Sequence, residues 1–476
     1  MDEQIFAYQA ILPVFAPRAW RLCSTQSIYQ NPKMFSKVKK LYQTACDHSG
    51  FKRYFKNTSW LFGGQMFRML LGLFVSVAVA RYLGPEDFGL FNYVMSVVAL
   101  VGVVSQLGLR EIAKRELVEF PERRNEIIGT CFVLNLIAGV VVYSIMLWVV
   151  FTQTDNSLLI SLFALLGSSM LISSLHYVEL WFQSQVRSDL SVLASSTSLA
   201  MFAILKVLAI AQGAGLIAFG YLFLFEALAL CLLQIFFYRK HFGSIFKWQM
   251  CRQTAVSFLQ QSWPLILSGL AVTAYMKIDQ VMLGAMLGDE AVGQYSAAVR
   301  ISMVCYFVPL ILAKSLFPAI LNARNQSKAL YKKRLQNYFD LNAGLAYMIA
   351  IPMSIAAPWI IMLLFGEAYK EASPILSVHA WSCLFIFSGI SRSRYLVAEK
   401  LFKFSMSCTV LGAIVNLVLN FLLIPKYEGF GAAIATLVIQ LIFMFLSSFV
   451  SHKTCDIGYC QFKAFLIFFR IRNLRT

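Results

Sequence analysis

Five ionisable side chains sit where an apolar chain should have none. Arg68, Lys277 and Arg300 are basic, Asp279 and Glu226 are acidic, and each lies inside a long apolar run. A charge at bilayer depth costs about 2.5–3.5 kcal/mol on insertion scales, so it is expected to face a wet cavity or a partner. Arg68 stands near the middle of GGQMFRMLLG. It reads either as one half of an interhelical pair with Asp279 or Glu226, or as an anion contact, because a guanidinium grips phosphate oxygens in a bidentate way. In AYMKIDQVMLG, Lys277 and Asp279 are two residues apart, so they point in different directions on a helix. Tyr275 shares a face with Asp279, and Lys277 shares one with Gln280. Asp279 reads as a partner for a cation on another helix or as a site for a coupling proton or cation, and Glu226 as a second coupling candidate. Lys277 either snorkels outward or enters a cavity. Arg300, in SAAVRISMV, extends a polar stripe from Ser296.

Other polar groups in the apolar runs have plainer readings. Lys206, towards the outer end of its helix, reads as an interface anchor, and Lys314 as a snorkelling lysine. His176 and Glu179 read as an interfacial polar patch. The midplane set is mostly basic, which suits a substrate carrying phosphate charge; an exporter of cations is expected to show the reverse. Neither a G-x-x-x-x-G-K-[ST] nor a G-x-G-x-x-G pattern occurs, so nothing predicts nucleotide hydrolysis. The ten cysteines include no pair at zinc-ligand spacing. The expectation is therefore no catalytic residue, no metal and no cofactor, with energy from a proton or sodium gradient, the membrane potential or the substrate's own gradient.

The elements that hold these residues follow from composition. The chain has 476 residues, of which 59% are hydrophobic and only 13% charged, and its mean hydropathy is +0.68. A spanning helix needs about 20 apolar residues. Twelve segments meet that requirement: 57–81, 88–109, 127–151, 157–182, 189–211, 213–238, 259–287, 291–318, 337–365, 373–392, 403–424 and 429–451. The formal charge of +18 is a topology signal rather than a sign of nucleic-acid binding. With residue 57 inside, and inner helix ends included, cytoplasmic segments hold 33 of the 41 Lys and Arg residues, as an inside-positive bias requires. The basic loops also have an affinity for anionic headgroups. Both termini are expected in the cytoplasm. The predicted organisation is an N-terminal extension (1–56), a six-helix lobe (57–238), a cytoplasmic linker (239–257), a second six-helix lobe (258–451) and a cytoplasmic tail (452–476). Residues 1–33 are expected either to be untranslated, with synthesis starting at Met34, or to be weakly ordered. Residues 464–469, flanked by basic residues, predict a tail segment on the membrane surface.

An internal repeat supports two lobes. LGPEDFGLF (83–91) and LGDEAVGQY (287–295) align Gly84 with Gly288, Glu86 with Glu290 and Gly89 with Gly293. With six spans in each half the repeats are parallel, related by an axis along the membrane normal. GAGLIAFGYL (213–222) and EGFGAAIATL (428–437) echo the repeat at helices 6 and 12. Gly84 and Gly288 are expected in left-handed caps, Pro85 at the first position of the next helix, Asp289 as a cap, and the acidic residues in first turns. The motif reads as structural, with an external gate or ion site as the functional alternative.

These residues carry a resemblance. VARYLGPEDFGLFNYVMS with the basic loop after GLRE, MKIDQVMLGAMLGDEAVGQYSAA, Phe317-Pro318 and EGFGAAIATL resemble polysaccharide biosynthesis flippases of the oligosaccharidyl-lipid exporter type, such as O-antigen flippases, over residues 50–451. The resemblance implies an all-α membrane protein of two six-helix lobes around a central cavity. It also implies transfer of undecaprenyl-diphosphate-linked oligosaccharides between the leaflets of a bacterial inner membrane, by alternating access. Asp279 and Arg300 occupy motif positions; Arg68 lies outside them, and residues 1–33 have no expected counterpart. The implied partners are lipid-linked oligosaccharide, membrane lipids, and glycan polymerase with chain-length machinery. The alternatives are a cation-coupled multidrug or toxin antiporter, a lipid II flippase, and a membrane glycan polymerase, for which the external loops are too short to make an active site.

Overall fold

The computed structural model describes residues 49–324 and 326–467, with the side chains of residues 49–59 and of Leu61 outside that description. The expectations for residues 1–33 and Met34 fall outside it too. Among the described residues, ten stretches are long and apolar enough to cross a bilayer. Two of them, Phe62–Ser105 and Phe402–Phe449, run to 44 and 48 residues. As single rods they would measure roughly 65–70 Å, well beyond a bilayer. Each is broken, at Gly84 and at Glu428. The result is twelve spans: α1 (49–83), α2 (85–105), α3 (Arg124–Gln153), α4 (Ser157–Ser184), α5 (Ser188–Ala211), α6 (Leu216–His241), α7 (Arg252–Leu287), α8 (Asp289–Arg324), α9 (Lys328–Leu364), α10 (Ala372–Ala398), α11 (402–427) and α12 (429–449). Helices α1–α6 and α7–α12 form the two lobes. Large apolar side chains such as Trp148, Ile355 and Leu363 stay exposed on their outer faces, as lipid contact requires.

Several boundaries differ from the sequence reading. Helix α9 begins at Lys328, nine residues before the predicted span, because the charged turns KALYKKRLQ continue the helix beyond its apolar stretch. The loop expected at 110–126 contains an amphipathic helix, Leu109–Glu119, that buries Leu109, Ile112, Ala113 and Leu117. The tail is not merely a surface segment. Helix His452–Phe465 buries Ile457 and Ala464, and Gln461 donates to Ser388 Oγ and to the Met444 carbonyl, both at 2.8 Å.

The repeated motif holds the lobes together at the end opposite the basic loops, the outer end in the predicted orientation. Gly84 (φ 78°, ψ 173°) and Gly288 (φ 92°, ψ −176°) are not in the left-handed helical caps expected. They take the mirror-extended conformation that essentially only glycine adopts. Gly288 itself is the N-cap of α8, with no side-chain capping bond, so Asp289 stands in the first turn instead. The other two glycines meet across the pseudo-symmetry axis. A Cβ on Gly89 would collide with the Asp289 carbonyl, and one on Gly293 with the Pro85 carbonyl. Since Pro85 and Asp289 are equivalent positions, the contact is reciprocal. Tyr369 adds a hydrogen bond to the Ala80 carbonyl at 2.8 Å, and Phe88, Val292 and Tyr295 fill the core beneath. Overpacking at such a site costs about 1–3 kcal/mol. Gly293→Ala is expected to lower the thermal unfolding midpoint in detergent; an unchanged midpoint would mean that the helix ends are free to separate.

Candidate functional site

The N-terminal lobe encloses a cavity of ≈ 410 Å³ between α1, α2, α5 and α6, closed on one side by α8. Its polar wall consists of Ser76, Ser195, Ser198, Lys206, Glu226 and Arg300, and the rest is apolar and aromatic, including Phe91, Phe219 and Phe223. Arg300 reaches it because α8 packs into the opposite lobe. Residues 292–299 are all buried, and Arg300 is the first to be exposed, into this space. Among the described residues Arg300 has no ion pair or hydrogen bond, so its guanidinium is available to a ligand.

Lys206 does not anchor the interface as its position suggested. Its Nζ lies 2.6 Å from Glu226 Oε2, and both side chains line the cavity. Glu226 is thereby engaged across the α5–α6 hairpin rather than with Arg68. Arg68 makes neither of the pairs weighed for it. Its Nη1 donates to Ser195 Oγ at 2.8 Å and its Nη2 to Gln65 Oε1 at 2.9 Å. It therefore stands directly behind a cavity-wall hydroxyl. Lys277 donates to Gln280 Oε1 at 3.2 Å, along the shared face. Gln280 in turn bonds Ser96 of α2 and Ser296 of α8, the latter at 3.1 Å and one turn from Arg300. That knot ties three helices at the wall between the lobes.

Asp279 points away, into the C-terminal lobe, and is 5% exposed. It accepts from Tyr295 Oη at 2.7 Å, Asn420 Nδ2 at 2.6 Å and Thr436 Oγ1 at 2.8 Å. Asn416 and Asn420 lie one turn apart on α11 and are bonded at 2.6 Å. A buried carboxylate is tolerable only when so many donors converge on it. Among the described residues, Asn420 Oδ1 has no hydrogen-bond partner, and neither has Gln440 Oε1, one turn beyond Thr436. The acidic side chains at the lobe contact, Glu86 and Glu290, belong to first turns, and no group of three His, Cys, Asp or Glu residues suited to a metal occurs among the described residues. The polar patch read at His176 and Glu179 consists of two separate sets of hydrogen bonds. Glu179 accepts from Gln183 at 3.1 Å and Ser191 at 3.0 Å, and His176 meets Gln234 at 3.1 Å.

Sequence reasoning missed the neighbours more than the charges. Asn416 and Asn420 carry a signal, two amides four residues apart in the apolar run LGAIVNLVLNFLL. Arg392, counted with the cytoplasmic segments, is buried in α10 at 4% exposure. It sits in the last two turns of its helix, where an arginine ordinarily reaches water.

Comparison with known proteins agrees with this architecture. The family described as polysaccharide biosynthesis protein matches residues 54–323, and the MatE family matches residues 264–422. A probable low-salt glycan biosynthesis flippase of Haloferax volcanii is 22% identical over 82% of this chain and 83% of its own length. A capsular polysaccharide biosynthesis protein of Staphylococcus aureus is 21% identical over 81% of this chain and 96% of its own. Among solved structures, a lipid II flippase in an inward closed conformation superposes with a TM-score of 0.70 at 16% identity, over 87% of this chain and 93% of that one. An inward-facing multidrug transporter gives 0.62 at 14%, over 83% and 96%. These structures share the fold.

Proposed function

The chain belongs to the polysaccharide biosynthesis protein family, and we propose that within it the molecule is a flippase for a lipid-linked oligosaccharide. The observation that carries the reading is Arg300, a guanidinium on one lobe that has no partner among the described residues and lines a cavity of the other together with Lys206. The substrate is proposed to be an undecaprenyl-diphosphate glycan destined for O-antigen or another surface polysaccharide. Its diphosphate sits against Arg300, with Arg68 behind Ser195 and Lys277 behind Gln280 adding positive potential. Charge-assisted bonds to phosphate are the strong ones, and the apolar wall removes competing water. The sugars lie in the space between the lobes and the lipid chain stays in the bilayer. The named relatives of similar length, a glycan flippase and a capsular polysaccharide protein, support this substrate class. The protein moves its substrate and performs no covalent chemistry on it.

Transport requires the lobes to part at one end at a time. The Gly89–Gly293 contact is the proposed outer gate, because two backbones in direct contact close a passage more completely than mobile side chains. Asp279 is the proposed coupling site. Its carboxylate, Thr436 Oγ1 and the unpartnered Asn420 Oδ1 supply the hard oxygen ligands that suit sodium, and the carboxylate alone suits a proton. Asp279 sits on the same helix as Lys277 and is bonded to Tyr295, the residue before Ser296 and five residues from Arg300 on α8. Occupancy of the coupling site can thus move the cavity's cations through α7 and α8.

A photoreactive polyprenyl-diphosphate glycan added to the purified protein in nanodiscs tests the binding site. Labelling is expected on the α5–α6 segment carrying Lys206 and Glu226 and on the α8 segment carrying Arg300, competed by the same lipid without its photoreactive group. Labelling elsewhere, or competition only by lipophilic cations, would overturn the assignment.

A further inference from the structure

The C-terminal lobe holds a second cavity, of ≈ 220 Å³, between α7, α10, α11 and α12. Its polar wall is Tyr275, Arg392, Ser393, Ser405, Cys408 and Thr409. The buried Arg392 is the only one of these with a charge at neutral pH. Its Nη2 donates to Ser447 Oγ at 2.8 Å and meets Cys408 Sγ at 3.6 Å, and its guanidinium lies 5.4 Å from the Phe404 ring centre. Its Nε has no partner, and no carboxylate pairs with it among the described residues. Two inner-end carboxylates of this lobe are engaged elsewhere, Glu399 with Arg324 and Asp456 with Lys332.

This is an expensive arrangement. A guanidinium cannot lose its proton, and burying a charge without an opposing one costs several kcal/mol. Ser447, its main partner, follows a π-helical turn, Leu441–Phe445, in α12. Such turns are frequent at functional sites. One fixed positive charge, an unused N–H and a ring of hydroxyls make an oxyanion receptor, and planar guanidinium matches phosphate. The place indicates the source. Arg392 lies six residues from the end of α10, about 9 Å along the helix, which is close to the inner phosphate layer in the predicted orientation. Ser393 is exposed at the cavity's rim.

We propose that this cavity is a second phosphate-binding site, which holds the headgroup phosphate of an anionic membrane phospholipid on the C-terminal lobe. It is separate from the transport cavity and does not rest on the flippase reading. Because α7, α11 and α12 all contribute to it and also surround Asp279, a lipid bound there fixes the helices that form the coupling site.

The test is thermal unfolding of the full chain in nanodiscs of phosphatidylcholine, with phosphatidylglycerol titrated in. The wild-type midpoint is expected to rise and saturate. In Arg392→Gln the lipid concentration for half the rise should increase at least about tenfold, the equivalent of one lost charge-assisted contact. Thr409→Leu narrows the cavity while leaving Arg392 in place, and should act likewise if Arg392→Gln fails to fold. An equal rise in wild type and Arg392→Gln, or in wild type and Thr409→Leu, would overturn the site. A rise produced as well by inorganic phosphate at millimolar concentration would overturn the lipid as its occupant.

Discussion

Arg300→Glu is expected to abolish transport of the proposed lipid-linked glycan, and Arg300→Gln to reduce it by roughly ten- to a hundredfold. The estimate follows from the loss of one charge-assisted contact, about 1.5–3 kcal/mol, at about 1.4 kcal/mol per decade. The glutamate goes further because it places a like charge against the diphosphate beside Glu226. Arg300→Lys keeps the charge but loses the fork, and is expected between wild type and Gln. The fold should hardly notice, since Arg300 has no hydrogen bond or ion pair among the described residues to lose. Thermal midpoints within experimental error of wild type, alongside the graded loss of transport, are the expected pattern. A lowered midpoint in Arg300→Gln would instead make the arginine a structural element. Lys206→Gln should act differently, because it also frees Glu226, which then repels the substrate.

Asp279→Asn is the second large effect, and it separates coupling from binding. The substitution keeps the shape of the side chain and removes the charge that a sodium ion or proton would neutralise. Transport down the substrate's gradient should persist at a reduced rate, while acceleration by an imposed sodium or proton gradient should vanish. Photolabelling of the cavity should be unchanged. Asp279→Leu should do more, because Tyr295, Asn420 and Thr436 lose their acceptor together. Each buried donor left unmet costs about 1–3 kcal/mol, so this variant is expected to be poorly folded. If Asp279→Asn keeps its full response to the gradient, the coupling site lies elsewhere.

Much of the architecture could be read from the chain, for physical reasons. A bilayer imposes a length on apolar runs, so twelve spans were legible even where the helices continue past them, as α9 does at Lys328. The repeat around Gly84 and Gly288 showed two related lobes, while the backbone contact that Gly89 and Gly293 make between them was not legible. The conformation of Gly84 and Gly288 was not legible either, because the sequence shows that a glycine is needed without showing which positive-φ region it will occupy. The charges at depth stood out for the same reason that they are costly. Their partners did not, because pairing depends on how helices rotate against one another. Lys206 looked like an anchor by depth alone and is bonded to Glu226 on the next helix. Asp279 was visible in its motif, while Asn420 and Thr436, more than 140 residues away, converge on it only when α7, α11 and α12 pack. Arg392 was hidden by its place near a helix end, where charge usually needs no explanation.

In the proposed mechanism the cationic cavity carries a phosphate-bearing lipid between leaflets. Its most direct test is the rate at which a fluorescent polyprenyl-diphosphate glycan, placed in one leaflet of vesicles holding the purified protein, becomes accessible to a membrane-impermeant quencher on the other side. Protein-dependent movement that is lost in Arg300→Glu is expected, with no uptake of a lipophilic cationic drug by the same vesicles. Movement of the drug, with the glycan lipid left in its original leaflet, would contradict it.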